Sequence, residues 1–599
     1  MTSFKGHGHE LLPKPEASGW RRWLIGKRAN IALLAVVIAL VFAVRLLAVS
    51  KRPRDVQSIA AEVGAVAEFW GDPSPNRAGN RIVFQQSTEN GVGIFLAEIQ
   101  NGTRQLIFEQ AERGFDHRNF QVWGWSPDDR WFALSRRPDR ESKREIVICH
   151  GKTGEIAATV AVERTVGELA WLSPQAFVYV DDYQELQRVE QLSEKKWSYP
   201  QAFKKPVGKK IKLTKEQQAV LPKIQGLAAL SGDTVVYQQG QAVWSWTFGV
   251  PEPVKLWEAV TANSLVDFSL DKDPNRLLLR CKNKDVELLS SFYLPTKYTS
   301  QFGIIPAPEH YTNRLILFNG NGYACMKRDA TVKLLFVKSS PDSRAVEIEF
   351  NAGLNNYVGS DRSVFIYGSR AGEPVGIWRY DAGADSVTCI VSNSQPRFQH
   401  AVAINPERGM ITNVNGNVIT YQVWSPPKEV GGKKYPFLIG KGSTRWQGYP
   451  VSIANAGAYF VSISNNSEDG AWEKNVMPLY EYLKTKLNID SEKIYLYGAS
   501  GSTQPVCNLL DEYPEMWRGA ILFSPGALPD LSRVKVPRLL IDCGGEDVRA
   551  DAVERYRDEA AKSGVEVTVA FHENAGHVYR SMASLRARDE AVMNFLFGR

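Results

Sequence analysis

The sequence contains few cysteines and lacks the short motifs that hold metals or nucleotides. Its 599 residues include six cysteines, which are scattered along the chain without the spacing of a metal site. It contains no Walker-type loop, no dinucleotide-binding fingerprint and no cluster of cysteine and histidine. We therefore expect neither a metal nor a cofactor.

A strong excess of charge of one sign is also absent. The 72 Lys and Arg residues and the 65 Asp and Glu residues leave a formal net charge of +7, which is modest for this length and lies partly at the N-terminus. Nothing in this balance indicates binding to nucleic acid. A chain of 599 residues is too long for a single hydrophobic core, so we expect two large domains. The sequence leaves the oligomeric state open.

The N-terminal segment predicts a membrane anchor preceded by a basic leader. Residues 1–28 show no periodicity and are expected to be disordered. Residues 29–49 are almost continuously apolar, and this run approaches the length of about twenty residues that crosses a bilayer. A cleaved signal peptide is the alternative, but no small-x-small cleavage site follows the apolar run. We therefore expect an uncleaved transmembrane helix.

The orientation of this anchor is weakly encoded. Lys51, Arg52 and Arg54 follow the apolar run, so basic residues flank both of its ends and the positive-inside bias nearly cancels. A single N-terminal anchor with a short leader most often leaves the bulk of a protein outside the cytoplasm. The sequence therefore predicts a single-pass protein whose bulk is periplasmic or extracellular.

Residues 60–400 predict an all-β domain of the propeller type. Short strand-like runs alternate with Gly, Asp, Asn and Pro, and a loose motif recurs in which Ser-Pro-Asp, or a similar turn, precedes a β run. The clearest copy covers residues 122–135, with echoes at 170–179, 227–237 and 268–279. The copies lie about forty to fifty residues apart, a repeat length typical of four-stranded blades. We expect about seven blades, and a β-sandwich or another β domain is the alternative.

The last third of the chain contains a serine in the setting of a nucleophile. Residues 493–499 predict an apolar strand that enters a turn of small residues with Ser500 at its apex, and residues 506–510 predict a helix after it. A tight strand-to-helix turn exposes the serine hydroxyl, and the amide of Gly501 at the helix start is placed to bind an oxyanion. The same pentapeptide pattern also occurs by chance in ordinary turns.

Two later segments supply a carboxylate and an imidazole in matching settings. Residues 536–542 predict a buried strand with Asp547 in the loop after it, and residues 565–571 predict the next strand with His577 in the loop that follows. The order serine, aspartate, histidine, each in a loop after a strand, is that of the α/β-hydrolase triad. The histidine would take and return the serine proton, and the aspartate would fix the imidazole tautomer.

Three neighbouring residues are weaker candidates for the same roles. His572 is expected to end the strand or to pack against it. Asp542 lies within the predicted strand, and Asp551 lies at the start of the next helix, where an N-cap role is sufficient.

From about residue 413 to residue 599, a stretch that includes these triad candidates, the chain resembles the catalytic domain of the prolyl oligopeptidase family of serine peptidases. Residues 416–427 resemble its first strands, residues 433–439 its next strand, and residues 488–494 its approach to the nucleophile. In that family a β-propeller precedes the hydrolase domain and restricts access to the active site. The resemblance implies a multidomain fold, with an α/β-hydrolase domain over residues 410–599.

One segment departs from the pattern of that family. Its members usually carry Tyr-Gly-Gly-Pro or His-Gly-Gly-Pro after the second of these strands, and the tyrosine hydroxyl supplies half of the oxyanion hole where tyrosine is present. Here the segment is Gly440-Lys441-Gly442-Ser443, so the tyrosine is missing. A backbone amide near Lys441 or Gly442 is therefore the expected second donor beside Gly501, and the Lys441 ammonium is the alternative.

The triad and the resemblance together imply a serine hydrolase that cleaves short peptides through a Ser500 acyl-enzyme. Two other functions stay open at this stage. The same triad serves a carboxylesterase that acts on small esters, and the missing tyrosine is compatible with that activity. The third hypothesis is a catalytically silent, membrane-tethered protein that uses the propeller as a binding platform.

Overall fold

The structure is a computed structural model. It describes residues 69–112, 120–137, 143–163, 165–182, 184–193, 196–198, 223–250, 252–259, 264–270, 275–283, 286–306, 316–318, 322–328, 332–338, 346–359, 363–369, 376–381, 384, 386–392, 406–414, 416, 418–427, 429–441, 453–463, 472–536 and 538–598. The predicted leader and membrane anchor lie outside these ranges. Within them, no helix combines the length and the apolar character needed to cross a membrane.

The first part of the described chain consists of antiparallel sheets of consecutive strands. The strands are β1 (Phe69–Pro75), β2 (Arg81–Ser87), β3 (Gly91–Glu98), β4 (Arg104–Ala111), β5 (Gln121–Trp125), β6 (Trp131–Arg136), β7 (Arg144–His150), β8 (Ile156–Val162), β9 (Val166–Ser173), β10 (Ala176–Asp181), β11 (Leu186–Ser193), β12 (Lys196–Ser198), β13 (Ile224–Ser231), β14 (Thr234–Gln239), β15 (Ala242–Thr247), β16 (Val254–Glu258), β17 (Ser264–Leu270), β18 (Arg276–Asn283), β19 (Val286–Tyr293), β20 (Tyr298–Pro306), β21 (Ile316–Phe318), β22 (Gly322–Arg328), β23 (Val332–Lys338), β24 (Val346–Gly359), β25 (Ser363–Ser369), β26 (Gly376–Asp381) and β27 (Ser386–Ser392).

These strands form seven four-stranded blades within the described ranges. Strands β1–β4, β5–β8, β9–β12, β13–β16 and β17–β20 make five separate sheets. Strands β21–β27 make one larger sheet, in which the long β24 pairs with β23 through its first part and with β25 through its second part. Strand β24 therefore serves two blades, as the last strand of the sixth and the first strand of the seventh.

Neighbouring blades pack side by side, and apolar side chains also join the first blade to the seventh. Strand β1 lies beside β5, β5 beside β9, β9 beside β13, and β13 beside β17. Strand β1 also lies beside β24. Phe84 of the first blade is buried in one apolar cluster with Phe365 and Ile377 of the seventh. Burial of apolar side chains between facing sheets thus holds the propeller together.

The Ser-Pro-Asp motif of the second blade forms a turn that also bonds to the first blade. Ser126 Oγ donates to Asp128 Oδ1 (2.7 Å) and accepts from the Trp131 backbone N–H (3.0 Å), which closes the turn between β5 and β6. The next residue, Asp129, accepts a hydrogen bond from the backbone N–H of Arg77 (2.8 Å) in the first blade. The polar residues that interrupt the strands therefore fix the turn and link neighbouring blades.

The C-terminal domain is built on a single eight-stranded sheet. Its strands are β28 (Glu407–Thr412), β29 (Val418–Trp424), β30 (Tyr435–Lys441), β31 (Tyr459–Ile463), β32 (Ile489–Ala499), β33 (Gly519–Phe523), β34 (Arg538–Gly544) and β35 (Glu566–His572), and its principal helices are α1 (Trp472–Lys484), α2 (Thr503–Glu512), α3 (Ala550–Ser563) and α4 (Met582–Phe597). The strand order is β28-β29-β31-β30-β32-β33-β34-β35, parallel from β31 onward. The loops after β32, β34 and β35 therefore leave the sheet at one edge.

Helices cover both faces of this sheet. One apolar core includes Val476 of α1, Leu509 of α2 and Val553 of α3. The other includes Val592 and Phe595 of α4. Every residue of β33 is buried, as expected for a parallel strand covered on both faces. The predicted order, a β-propeller followed by an α/β-hydrolase domain, is confirmed.

The last helix begins against the propeller. Glu112, which follows β4, is 5% exposed. Its carboxylate accepts hydrogen bonds from the Arg580 backbone N–H and from the hydroxyls of Ser581 and Ser584. Ser581 is the N-cap residue of α4 and accepts in turn from the Ser584 backbone N–H (3.1 Å). A propeller carboxylate thus lies at the N-terminus of a hydrolase helix, where a negative charge is stabilising.

The propeller backbone also supplies acceptors for the first turn of α4. The backbone N–H of Met582 donates to the Thr88 carbonyl (2.8 Å), and that of Ala583 donates to the Glu89 carbonyl (3.3 Å). The first N–H groups of a helix have no acceptor within the helix itself. The turn between β2 and β3 provides those acceptors, so the two domains share hydrogen bonds that neither makes alone.

Replacing Glu112 by alanine is expected to destabilise the protein. Two hydroxyls and one amide would lose a shared charged acceptor in a buried place, which should lower the free energy of unfolding by about 2–3 kcal/mol. Urea unfolding followed by circular dichroism measures this loss. The matched control is Glu109→Ala on β4, because Glu109 is exposed. Equal midpoints for the two variants would contradict a stabilising role of the Glu112 contact.

Candidate active site

Ser500 lies at the sharp turn between β32 and α2. Its φ is +52°, in the left-handed region that residues other than glycine rarely adopt. Residues Ser500–Ser502 form one turn of 3-10 helix that leads into α2. A Cβ atom on Gly498 would lie 2.8 Å from the Ser502 carbonyl oxygen, which explains why a glycine is required there. The segment therefore adopts the strained strand–turn–helix geometry that exposes a serine hydroxyl.

Three hydrogen bonds to one carbonyl hold this turn. The Ser500 carbonyl accepts from the Thr503 backbone N–H, from Thr503 Oγ1 (2.8 Å) and from the Gly526 backbone N–H (3.0 Å). Thr503 is fully buried, and its hydroxyl also accepts from the Ala527 backbone N–H (2.9 Å). Thr503 therefore ties the turn to the loop after β33. The role of Thr503 is not apparent from the sequence, because a threonine at a helix start is also typical of ordinary helices.

The structure brings Ser500, His577 and Asp547 together in one chain of hydrogen bonds. His577 Nε2 lies 2.8 Å from Ser500 Oγ, and His577 Nδ1 lies 2.8 Å from Asp547 Oδ2. The Asp547 side chain is fully buried, whereas the His577 side chain is 46% exposed. The imidazole is thus held from the buried side and open on the side where a substrate would approach.

The second carboxylate oxygen of Asp547 is also occupied. Asp547 Oδ1 accepts from the Arg549 backbone N–H (3.0 Å), and the Asp547 backbone N–H donates to the Gly544 carbonyl (3.0 Å). These bonds fix the carboxylate at the end of β34, just before α3. With one oxygen held by the backbone, the other is directed at the imidazole.

The loops that carry Asp547 and His577 pack backbone against backbone. The Glu546 N–H donates to the Ala575 carbonyl (2.9 Å). A Cβ atom on Gly544 would lie 2.2 Å from the Gly576 carbonyl oxygen and 2.3 Å from that of Ala575. No side chain fits in that space, so only glycine allows the two loops to approach this closely.

The residues that the sequence ranked as weaker candidates lie elsewhere. Asp542 is fully buried within β34, and His572 is the buried last residue of β35. His572 Nε2 bonds to Asp542 Oδ2 (2.8 Å), so these two residues pair with each other and not with the triad. The expected N-cap role of Asp551 is wrong. The N-cap residue of α3 is Arg549, and Asp551 lies inside the first turn, where its negative charge complements the helix dipole.

The predicted oxyanion residues lie in two neighbouring segments. Gly501 follows Ser500 in the 3-10 turn. Lys441 is the last residue of β30 and lies opposite Gly498 in the register of β30 and β32. The backbone of Lys441 therefore reaches the edge of the sheet from which Ser500 projects. Gly442 lies outside the described residues.

The thiols near this site are not suited to act as nucleophiles. Burial raises the pKa of Cys543 to about 12, with a further contribution from the Asp547 and Asp542 carboxylates. Burial likewise raises the pKa of Cys507, on α2, to about 12. Both thiols therefore stay protonated at neutral pH. Among the residues that the structure describes, no group of three or more His, Cys, Asp or Glu side chains is arranged to hold a metal.

No protein-family model and no curated protein sequence matches the chain. Solved structures match it over most of its length. A prolyl endopeptidase structure has 12% sequence identity, covers 93% of each chain and gives a TM-score of 0.63. The puromycin-hydrolysing peptidase of Mycobacterium tuberculosis has 12% identity over 90% of this chain and 96% of its own, with a TM-score of 0.66.

The acylaminoacyl peptidase of Pyrococcus horikoshii has 14% identity over 88% of this chain and 95% of its own, with a TM-score of 0.58. The chain has the fold of these peptidases. At this identity the likeness concerns the fold, and coverage of about nine-tenths of both chains means that it includes the propeller as well as the hydrolase domain. The activity depends on the side chains at the edge of the hydrolase sheet.

Proposed function

We propose that this protein is a serine hydrolase of the prolyl oligopeptidase type that cleaves short peptides. The observation that carries this proposal is the hydrogen-bonded chain from Asp547 through His577 to Ser500, with 2.8 Å at each step. The exposed imidazole bonds on one side to a serine on a strained turn and on the other side to a buried carboxylate. This arrangement is that of an activated nucleophile. A fold without catalysis gives no reason for all three features together.

The reaction follows from this geometry. His577 Nε2 takes the proton from Ser500 Oγ as the oxygen attacks the carbonyl carbon of the substrate. Asp547 holds the imidazole in the required tautomer and stabilises the imidazolium that forms. His577 then gives the proton to the leaving amine, which leaves an acyl group on Ser500. A water molecule, deprotonated by His577, attacks the acyl group and restores the serine.

The oxyanion of the tetrahedral intermediate needs two donors beside Ser500. Our proposal assigns them to backbone amides, that of Gly501 and one in the turn at Lys441, Gly442 and Ser443. Support comes from the register that brings the end of β30 next to the end of β32. Backbone amides suit this role because they are fixed before the reaction begins.

The Lys441→Ala variant tests this assignment. If the donor is a backbone amide, the substitution is expected to change kcat only mildly. If the donor is the ammonium, the same substitution should cost about 3 kcal/mol of transition-state stabilisation, which is about a hundred-fold in rate. Steady-state kinetics of the two proteins distinguish these cases, and a hundred-fold loss would contradict the backbone assignment.

The substrate class rests on two considerations. The similar structures are a prolyl endopeptidase, a puromycin-hydrolysing peptidase and an acylaminoacyl peptidase, each of which is named for cleaving an amide bond. In the prolyl oligopeptidase family, which the chain resembles, the propeller restricts access to the active site, and the same arrangement here would favour short peptides over folded proteins. Small esters fit the same triad, so the choice between amide and ester has to be tested directly.

A fluorophosphonate probe together with two substrates tests the proposed function. We expect the probe to label Ser500 covalently, as identified by mass spectrometry of the labelled peptide. Aminoacyl-nitroanilides and p-nitrophenyl acetate, assayed side by side, then separate a peptidase from a carboxylesterase. Well-folded protein that the probe does not label would end the enzyme proposal and favour a binding platform.

We further propose that residues 29–49 anchor the protein in a membrane, with the bulk outside the cytoplasm. The support is the length and apolar character of this segment. The full chain is expected to stay with membranes during carbonate extraction, and a chain that begins at residue 56 is expected to be released. Release of both would contradict the anchor. Protease added to intact cells or spheroplasts tests the orientation.

A further inference from the structure

The loop that carries His577 is closed at its base by one buried carboxylate. The loop leaves β35 at His572 and passes His577 before it reaches Tyr579. His572 Nε2 lies 2.8 Å from Asp542 Oδ2, and the Tyr579 hydroxyl donates to Asp542 Oδ1. The two oxygens of Asp542 therefore hold one residue before the catalytic histidine and one residue after it.

These three side chains form a compact cluster inside the protein. Asp542 is fully buried, and His572 and Tyr579 are nearly so. The rings of His572 and Tyr579 lie 4.6 Å apart between their centroids. A buried carboxylate needs such donors, since a charge without partners in the interior is strongly unfavourable. The cluster is thus satisfied only when both sides of the loop are in place.

Tyr579 is a hydrogen-bond donor at neutral pH. Burial and the negative charge of Asp542 raise the pKa of Tyr579 well above its ordinary value, more strongly than a hydrogen bond from Ser524 lowers it. Its phenol therefore stays protonated. Tyr579 also packs with Ala575 and Leu585 in a small apolar cluster, which places the residue between the loop and α4.

The backbone of His572 links this base to the loop of Asp547. Its carbonyl accepts from the Gly545 N–H (2.9 Å) and from the Ala575 N–H (2.9 Å). The first bond joins β35 to the loop that carries Asp547, and the second closes the loop that carries His577. A shift of His572 would therefore move both members of the Asp547–His577 pair.

The two Asp–His pairs are related along the same two strands. Asp542 and His572 each lie five residues before the corresponding member of the catalytic pair, Asp547 and His577. Within the strands, Asp542 lies opposite Ala570, and Gly544 lies opposite His572. The Asp542–His572 pair therefore joins β34 to β35, and the Asp547–His577 pair joins the loops that follow these two strands.

We propose that Asp542, His572 and Tyr579 are positioning residues for the catalytic pair, which act by holding the loop of His577 at both ends. This inference rests on the proposed function. The cluster does not take part in bond making. It fixes the imidazole at hydrogen-bond distance from Ser500, and a displacement of about 1 Å in such an arrangement can cost about a hundred-fold in rate.

Three variants separate positioning from general stability. Tyr579→Phe removes one hydrogen bond and keeps the aromatic ring. His572→Leu removes the other, whereas His572→Gln keeps an amide donor near the place of Nε2. We expect Tyr579→Phe and His572→Leu to lower kcat, and the rate of fluorophosphonate labelling, about ten- to a hundred-fold with KM little changed. His572→Gln should recover most of the loss.

The matched control is Tyr556→Phe. Tyr556 is a buried tyrosine on α3 whose hydroxyl has no hydrogen-bond partner among the residues that the structure describes, so its removal tests the loss of a buried phenol hydroxyl alone. This variant is expected to be labelled at the wild-type rate. Thermal unfolding of every variant shows whether a change in rate merely follows a change in stability.

A measurement independent of turnover reports on His577 directly. The proton shared by His577 Nδ1 and Asp547 is expected to give a low-field resonance in the NMR spectrum of the wild-type protein. Tyr579→Phe should shift or broaden this resonance, whereas Tyr556→Phe should leave it unchanged. If the wild-type protein is not labelled by the probe, the proposed function fails, and this resonance still decides whether the cluster positions His577.

Two results would overturn the proposal. One is a set of cluster variants that are labelled at the wild-type rate and keep the His577 resonance, with only a lower melting temperature. The other is His572→Gln that is no faster than His572→Leu while both are folded. If His572→Leu does not fold, Tyr579→Phe and His572→Gln decide the question by the same two readouts.

Discussion

Ser500→Ala is expected to lower kcat by about six orders of magnitude and to abolish covalent labelling by a fluorophosphonate. Removal of the nucleophile from a serine triad has an effect of roughly this size, and the residual rate comes from substrate binding and the oxyanion donors. Because Ser500 Oγ lies 2.8 Å from His577 Nε2, no other hydroxyl is expected to take over its role. Steady-state kinetics and intact-protein mass spectrometry after exposure to the probe measure the two effects.

The remaining triad residues and a neighbouring serine provide the controls. His577→Ala should cost about as much as Ser500→Ala, and the double variant should cost little more, because triad residues act as a unit. Asp547→Asn should lower kcat by about four orders of magnitude through the wrong imidazole tautomer. Ser502 lies in the same turn and its side chain makes no capping bond to α2, so Ser502→Ala should keep nearly full activity. If Ser500→Ala kept more than about a hundredth of the activity, the assignment of the nucleophile would be wrong.

Gly544→Ala is expected to abolish the proposed hydrolase activity without any change to Ser500, Asp547 or His577. The new methyl group would lie 2.2 Å and 2.3 Å from the carbonyl oxygens of Gly576 and Ala575. Backbone atoms cannot rotate away as a side chain can, so the loop of His577 has to move. A displacement of about 1 Å should cost at least about a hundred-fold in kcat, and overpacking of this kind should cost about 1–3 kcal/mol of stability.

Gly576→Ala is the steric control for this substitution. It adds a methyl group to the other side of this close approach, at a position where no described residue other than its chain neighbours has an atom within 4 Å of the added Cβ. We expect a much smaller loss of kcat for Gly576→Ala than for Gly544→Ala. Kinetics of both variants, with melting temperatures, check the comparison. Equal losses would show that the loop responds to any added methyl group and not to the close approach at Gly544.

The sequence was sufficient to predict that Ser500, Asp547 and His577 come together, because the fold itself constrains their positions. Ser500, Asp547 and His577 each follow a strand, and the strands β32, β34 and β35 are parallel, so their loops meet at one edge of the sheet. The turn at Ser500 is encoded locally by small residues. The propeller could be predicted from its recurring turns, since residues such as Ser126 and Asp128 form their hydrogen bonds within a few positions of each other.

What the sequence did not reveal depends on contacts between distant segments. In the sequence, His572 and Asp542 appear only as separate alternatives to His577 and Asp547, because their pairing depends on the register of β34 and β35. The identical spacing of the two Asp–His pairs was visible in the sequence and could have indicated it. Thr503 acts through Ala527 in another loop. Glu112 reaches Arg580 across 468 positions of the chain, and no local pattern predicts such a contact.

The way in which α4 begins has a consequence for the synthesis of this protein. Thr88, Glu89 and Glu112 emerge from the ribosome hundreds of residues before the segment that they hold at Arg580 to Ser584. Domains generally fold as units in the order in which they are translated. The first blade can therefore be complete while the hydrolase sheet still lacks its last strand. Helix α4, which leaves the ribosome after the whole hydrolase sheet, then docks onto a surface of the propeller that has already folded.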